Sequence, residues 1–241
     1  YLATAFNISN RDSFVALATW ADTVKETPQY GWSYELHFVD VTTDPPQNCP
    51  GKPSILVKRD PCLLNYTLDC VDNRCIIGAV ANYTTRYLSM NDFDSLRFLI
   101  HFMGDIFQPF HISYRSDLGG NRVKVIYNRA HTNLHSIWDN EMLDTYVFSL
   151  GGIDNYYSVI SNYSKYVVPK INNNPLEIAQ LGLSTICQEH LYCDINGRIQ
   201  SGTIISEDYY RRNIEIIKNR LSMSGFFMAA ILNERGKSHL F

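Results

Sequence analysis

The sequence predicts a mainly α-helical fold: a single-domain helical bundle across residues 1–241, with one long disulfide-bearing loop and little β-structure. Three observations predict it. Apolar residues recur at helical spacing in most of the chain. One stretch, residues 42–75, instead gathers Pro45, Pro46, Pro50, Pro53 and Pro61 with four of the six cysteines. The 241 residues, 45% of them hydrophobic, are enough for one sizeable core, and no repeat or linker interrupts them.

The elements follow in order. Residues 11–25, RDSFVALATWADTVK, set Phe14, Ala18 and Ala21 on one helical side. GWSYELHFVD, residues 31–40, reads as extended. Residues 42–75 read as loop. Cys75–Leu88 reads as a helix, and so does Asn91–Gln108, with Asp92 as its cap. Pro109 ends or bends that helix because it lacks an amide hydrogen. Gly119-Gly120-Asn121 is a turn, and VKVIY from Val123 is a short strand. Helical spacing resumes over 132–148, 176–192 and 206–233, the last with Ile214, Ile217 and Leu221.

Composition narrows the function. The formal net charge is −3, so nothing draws the whole chain to nucleic acid or to an acidic membrane. Positive charge for a polyanion must be local, from a few basic residues or from metal ions. No apolar run approaches the roughly eighteen residues of a membrane span. Four Asn-x-Ser/Thr sequons stand at Asn7, Asn65, Asn82 and Asn162. With an even count of cysteines they point to a secreted or secretory-lumen protein and three disulfides. Cys70 and Cys75 close a small loop, and two of Cys49, Cys62, Cys187 and Cys193 tie the region after residue 45 to that near 190. Six cysteines allow fifteen pairings, so the remaining partners stay open.

The chemistry-bearing residues sit in LRFLIHFMGDIFQPFH, where His101 and Asp105 are four apart and His111 follows Pro109. Residues four apart share a helix face, with Cβ atoms about 5–6 Å apart, close enough to ligate one ion. NLHSIWD repeats the spacing with His135 and Asp139. LHFVD adds His37 and Asp40, and ATWAD adds Asp22. A single histidine on an apolar face is ordinarily a core residue. Two H-x3-D pairs are different, because each buries a carboxylate that needs a cation. His131, His190 and His239 fall outside these motifs and read as surface or structural.

ALATWAD, YELHFVD, CVDNRCIIGAVANYT, LRFLIHFMGDIFQPFH, GGNRVKVIY and TNLHSIWDNEM together resemble the zinc-dependent single-strand-specific nucleases and 3′-nucleotidases, the S-one/P-one family, distantly related to zinc phospholipases C. The resemblance runs from about Phe14 to Asp139 and more loosely through the last helix. It implies a fold of the phospholipase C and zinc nuclease type. It implies one zinc held by Asp22, His37, His101 and Asp105, and a second held by His111, His135 and Asp139. The family's third zinc uses an N-terminal Trp and a nearby His, and shares the aspartate at Asp105. This sequence opens with Tyr1 and has no histidine before His37, so an N-terminal segment carrying further ligands is expected to be missing from it.

The resemblance further implies hydrolysis of single-stranded RNA and DNA to 5′-nucleotides, with 3′-nucleotidase activity. Asp22 would orient the attacking water, and Lys25 would balance charge at the scissile phosphate. Phe38 and Asp40 match the family's base pocket, and Asn140 is a weaker base or phosphate contact. Two alternatives share the scaffold: a zinc phospholipase C-like phosphodiesterase, and a secreted glycoprotein that has lost catalysis.

Overall fold

The structure is a computed structural model, and it describes residues 11–50, 59–90, 92–163 and 174–238. Helices dominate, as the periodicity predicts. Helix α1, Arg11–Ala18, and α2, Trp20–Val24, replace the single helix expected over 11–25; the break falls at Thr19. Its consequence is local: the Ala18 carbonyl accepts a hydrogen bond from His101 Nδ1 at 2.5 Å.

The segment expected to be extended is mostly not. Gly31–His37 forms a 3-10 helix, and only Val39–Val41 is strand, β1. Apolar and polar residues alternate here, which mimics a strand. Ser33, Leu36 and His37 are nevertheless the buried ones, a spacing nearer to three than to two.

The loop after β1 contains a helical turn, Tyr66–Asp69, capped by the Asn65 side chain, and a 3-10 turn, Val71–Asn73. Arg59 pairs with the buried Asp69 carboxylate at 2.5 Å, and Asp69 also accepts from the Thr42 amide. Disulfides Cys49–Cys193 and Cys62–Cys187 staple this loop to the far end of the chain, and Cys70–Cys75 closes its last turn.

Helices α3, Ile76–Ser89, and α4, Phe93–Asp105, pack side by side at the centre. Asp92 caps α4 by accepting from the Asp94 amide, as expected. Tyr83 stacks on Phe98 at 4.9 Å, and Phe98 on Phe102 at 5.3 Å. This aromatic column ends against the His37 ring, 5.1 Å from Phe102. Buried aromatic rings therefore pack directly behind the histidines.

After Pro109–His111, a 3-10 turn, strand β2, Ile112–Tyr114, pairs in parallel with β1, Val39 opposite Ile112. That pairing brings the end of LHF beside the end of QPFH. Strands β3, Lys124–Tyr127, and β4, Ala130–Asn133, form a hairpin. Its two turn residues, Asn128 and Arg129, both have positive φ, as a two-residue hairpin turn requires. The periodicity over 132–148 hid β4. Past it the chain runs through a helical turn, Leu134–Ser136, and a π-helical turn, Ile137–Glu141, into α5, Met142–Ser149.

Helices α6, Ile153–Tyr163, and α7, Pro175–Gln188, two short strands, β5 (Cys193–Asp194) and β6 (Gly197–Arg198), and β7 (Thr203–Ile204) lead to α8, Glu207–Ser238. Helix α8 braces the centre. Arg220 donates to the Leu181 carbonyl on α7 at 2.9 Å, and Ser224 to the Met103 carbonyl on α4 at 2.9 Å. Among the described residues, no helix is long and apolar enough to cross a membrane.

Candidate metal centre

Helix α4 sets the first group of donors. Its 3.6-residue period stacks His101 and Asp105 on one face, with His101 Nε2 3.1 Å from Asp105 Oδ2. The 3-10 helix ends on His37, whose Nδ1 lies 3.1 Å from the same oxygen and 3.0 Å from His101 Nε2. Asp22, on α2, brings Oδ1 to 3.6 Å from His37 and 3.5 Å from His101. His37 and His101 are buried, while Asp22 is exposed, so the group opens to solvent on the Asp22 side.

The second group joins three turns. His111 Nε2 is 3.4 Å from Asp139 Oδ1, and His135 Nε2 is 3.1 Å from Asp139 Oδ2. The His111 and His135 rings stack at 4.9 Å. Asp105 stands between the groups: its Oδ2 faces His37 and His101, and its Oδ1 lies 3.7 Å from His111 Nδ1.

Backbone carbonyls aim the rings. His101 Nδ1 donates to Ala18, His111 Nδ1 to the His37 carbonyl at 2.7 Å, and His135 Nδ1 to the Gly119 carbonyl at 2.7 Å. A ring nitrogen facing a carbonyl oxygen carries the proton, so in the neutral ring Nε2 carries the lone pair. His37 differs: its Nδ1 faces the group, and its buried Nε2 has no partner among the described residues.

Gly119 is needed for this aim. Its φ is +58°, and a Cβ there would meet the Phe110 carbonyl at 2.5 Å. Gln108 supports the second group. Its amide donates to Asp139 Oδ1 at 2.6 Å, while its oxygen accepts from the Phe110 amide. Sequence reasoning missed Gln108 as a supporting residue, although it opens QPFH. It missed the carbonyl partners entirely, since every residue carries one.

Charge explains the ionisation of the cluster. Burial alone would lower the His101 pKa, yet Asp105 and Asp22 raise it to about 10. Burial likewise opposes charging of His111, but Asp105 and Asp139 raise it to about 9. Burial would raise the carboxyls of Asp22, Asp105 and Asp139. The neighbouring histidines, with Lys25 at Asp22, hold all three far below the usual range. Burial keeps the His37 pKa low. The cluster thus demands positive charge, which protons or divalent cations can supply.

The residues fit a metal. Three histidine Nε2 atoms point at carboxylate oxygens, a donor set that either protons or a metal ion can satisfy. In each of the groups Asp22–His37–His101 and His111–His135–Asp139, the donor atoms lie within 4.8 Å of one another. Imidazole and carboxylate together suit zinc and its neighbours rather than calcium or magnesium.

The other expected site residues lie near by. Lys25 Nζ donates to Asp22 Oδ1 at 2.7 Å. Phe38 is half-buried just after His37, its ring edge-on to Tyr34 with centroids 5.8 Å apart. Asp40, in β1, has its carboxyl pushed up by burial, Arg115 only partly offsetting it. Asn140 is exposed beside Asp139. Of the sequons, Asn65 and Asn82 are exposed; Asn7 and the side chain of Asn162 lie outside the described residues.

A mainly helical scaffold that brings two histidine–carboxylate groups to either side of Asp105 offers a candidate metal centre. Comparison with known families narrows this further: the model of the S1/P1 nuclease family matches residues 1–236. Endonuclease 2 of Arabidopsis thaliana is 31% identical over 245 residues, spanning 90% of this chain and 76% of the relative. Nuclease S1 of Aspergillus oryzae is 27% identical over 271 residues, spanning 97% and 87%. Nuclease P1 of Penicillium citrinum is 39% identical over 140 residues, spanning 56% and 47%. The chain belongs to the S1/P1 nuclease family, and so to the nucleases, hydrolases that act on nucleic acids.

Proposed function

We propose that this protein is a secreted, zinc-dependent nuclease that cleaves single-stranded RNA and DNA to 5′-nucleotides and also hydrolyses 3′-nucleotides. The observation that carries the reading is Asp105 with one oxygen toward His37 and His101 and the other toward His111. A carboxylate so placed ties the two donor groups together, so ions held by them would lie close to one another, as a phosphodiester needs at its attacking and leaving oxygens. Asp22, His37, His101 and Asp105 would hold one zinc, and His111, His135 and Asp139 would hold a second. Asp105 is also the aspartate that the family shares with a third.

When bound, zinc supplies Lewis-acid charge neutralisation and draws the pKa of a water toward about 7. The protein's own residues do the rest. Asp22, exposed at the mouth, accepts a hydrogen bond from the attacking water and orients it. Lys25, held against Asp22, offsets the growing charge on the phosphate. Phe38 stacks on a base, and Asp40 and Asn140 accept from or donate to polar base edges. Stacking needs an unpaired base, which favours single strands. Disulfides, and sequons at Asn7, Asn65, Asn82 and Asn162, support passage through the secretory pathway, with glycans at these sites.

The test is release of acid-soluble nucleotide from single-stranded and duplex DNA by zinc-loaded protein, beside release of phosphocholine from phosphatidylcholine. Nucleotide from single strands is the expected result. Phosphocholine alone would turn the assignment to a phospholipase, and neither product to a non-catalytic glycoprotein.

A further inference from the structure

The 3-10 helix that carries His37 also carries an aromatic side chain that the proposed chemistry leaves unused. A 3-10 helix has three residues per turn, so Tyr34 and His37 lie on the same face. An extended segment would put them on opposite faces. Tyr34 is 52% exposed, a large ring left in water. Its neighbour Trp32 is also exposed, but Trp32 is engaged in the fold, where its Nε1 donates to the Gln29 carbonyl and its ring packs on Phe98. Tyr34 makes no hydrogen bond of this kind among the described residues. Its ring meets Phe38 edge-on with centroids 5.8 Å apart, and Lys25 Nζ lies over it, 5.9 Å from the centroid. Lys25 in turn holds Asp22.

The geometry points to Tyr34 as a specificity-determining residue: a second stacking position for a base of the bound single strand, next to Phe38. This rests on the nuclease reading above. A nucleotide presents an anionic phosphate and a flat base joined by one sugar. Lys25 and Tyr34 present the complement, an ammonium beside an exposed aromatic ring. Two aromatic rings at right angles cannot both lie parallel to one base. Tyr34 and Phe38 therefore address two different bases, and the strand must splay its bases there, which duplex cannot do. Stacking accepts any base, so the position selects strandedness rather than sequence.

Tyr34→Ala, Tyr34→Phe and Tyr34→Trp test this, since about half of the residue is exposed. The readout is kcat/KM for a single-stranded oligonucleotide divided by kcat/KM for bis(4-nitrophenyl) phosphate, a diester with no base. Tyr34→Ala is expected to lower this ratio about tenfold, mainly through KM, and Tyr34→Phe and Tyr34→Trp to restore it. A ratio that Tyr34→Ala leaves alone, or that Tyr34→Phe lowers equally, overturns the inference. If the wild type cleaves neither substrate, the nuclease reading fails, and fluorescence anisotropy with a labelled oligonucleotide decides the inference alone. Weakened binding in Tyr34→Ala but not in Tyr34→Phe supports it, and equal binding in all three overturns it.

Discussion

His37 Nδ1 and His101 Nε2 lie 3.0 Å apart, and both face Asp105 Oδ2 at 3.1 Å. Two imidazole nitrogens and a carboxylate oxygen this close share either protons or a divalent cation. His101→Ala is therefore expected to lower the zinc content of the purified protein and to cut nuclease activity by at least about 100-fold. Metal analysis and nucleotide release from single-stranded DNA check both. Unchanged zinc content would contradict the ligand assignment.

Gly119→Ala is expected to damage stability and metal binding together. The new Cβ meets the Phe110 carbonyl in a left-handed backbone, and the carbonyl that aims His135 must move. A stability loss on the order of 1–2 kcal/mol follows from the backbone alone. Urea unfolding with and without zinc separates the two effects, the loss being larger with zinc.

Gln108→Ala removes the amide that holds Asp139 Oδ1. Supporting residues of this kind change metal affinity or activity by roughly 10–100-fold. Competition with a chelator should show weaker binding of one zinc and not of the other.

How much of this was legible in the sequence depends on the kind of interaction. The H-x3-D spacing of His101 and Asp105 was legible because a helical period alone puts both on one face. His135 and Asp139 were legible by the same rule, although a π-helical turn carries Asp139. Gly31–His37 was misread because its alternating apolar residues imitate a strand; tertiary burial of Leu36 and His37 decided otherwise. The carbonyls of Ala18, His37 and Gly119 were illegible, since a backbone oxygen has no residue signature. Cys49–Cys193 and Cys62–Cys187 needed the fold, because fifteen pairings were open.

Chelated protein should lose stability as pH rises. The His101 and His111 pKa values, about 10 and about 9, lie above the ordinary 6.5. Their stabilisation is fully present below that ordinary value and is lost as pH climbs through 9 to 10. The depressed Asp22, Asp105 and Asp139 have the opposite sense and lose theirs only in strong acid. Melting scans in chelator should show Tm falling from about neutral pH upward, and zinc should abolish that fall by taking the protons' place. A flat profile in chelator would contradict the charge balance described.

Reduction should destabilise the protein mainly through the long disulfides. Sequence separations of 144 and 125 residues correspond to about 5 kcal/mol each in the chain-entropy model, against about 2 for the separation of 5 at Cys70–Cys75. Cys62→Ser/Cys187→Ser should therefore lower Tm more than Cys70→Ser/Cys75→Ser, as calorimetry can measure.

The most direct test titrates zinc into chelated protein while following nucleotide release from single-stranded and duplex DNA. Activity should be absent without zinc, appear only as a second equivalent binds, and favour the single strand by at least about tenfold. Full activity in chelator, or zinc bound away from Asp105 and the histidines and aspartates grouped around it, would contradict the account.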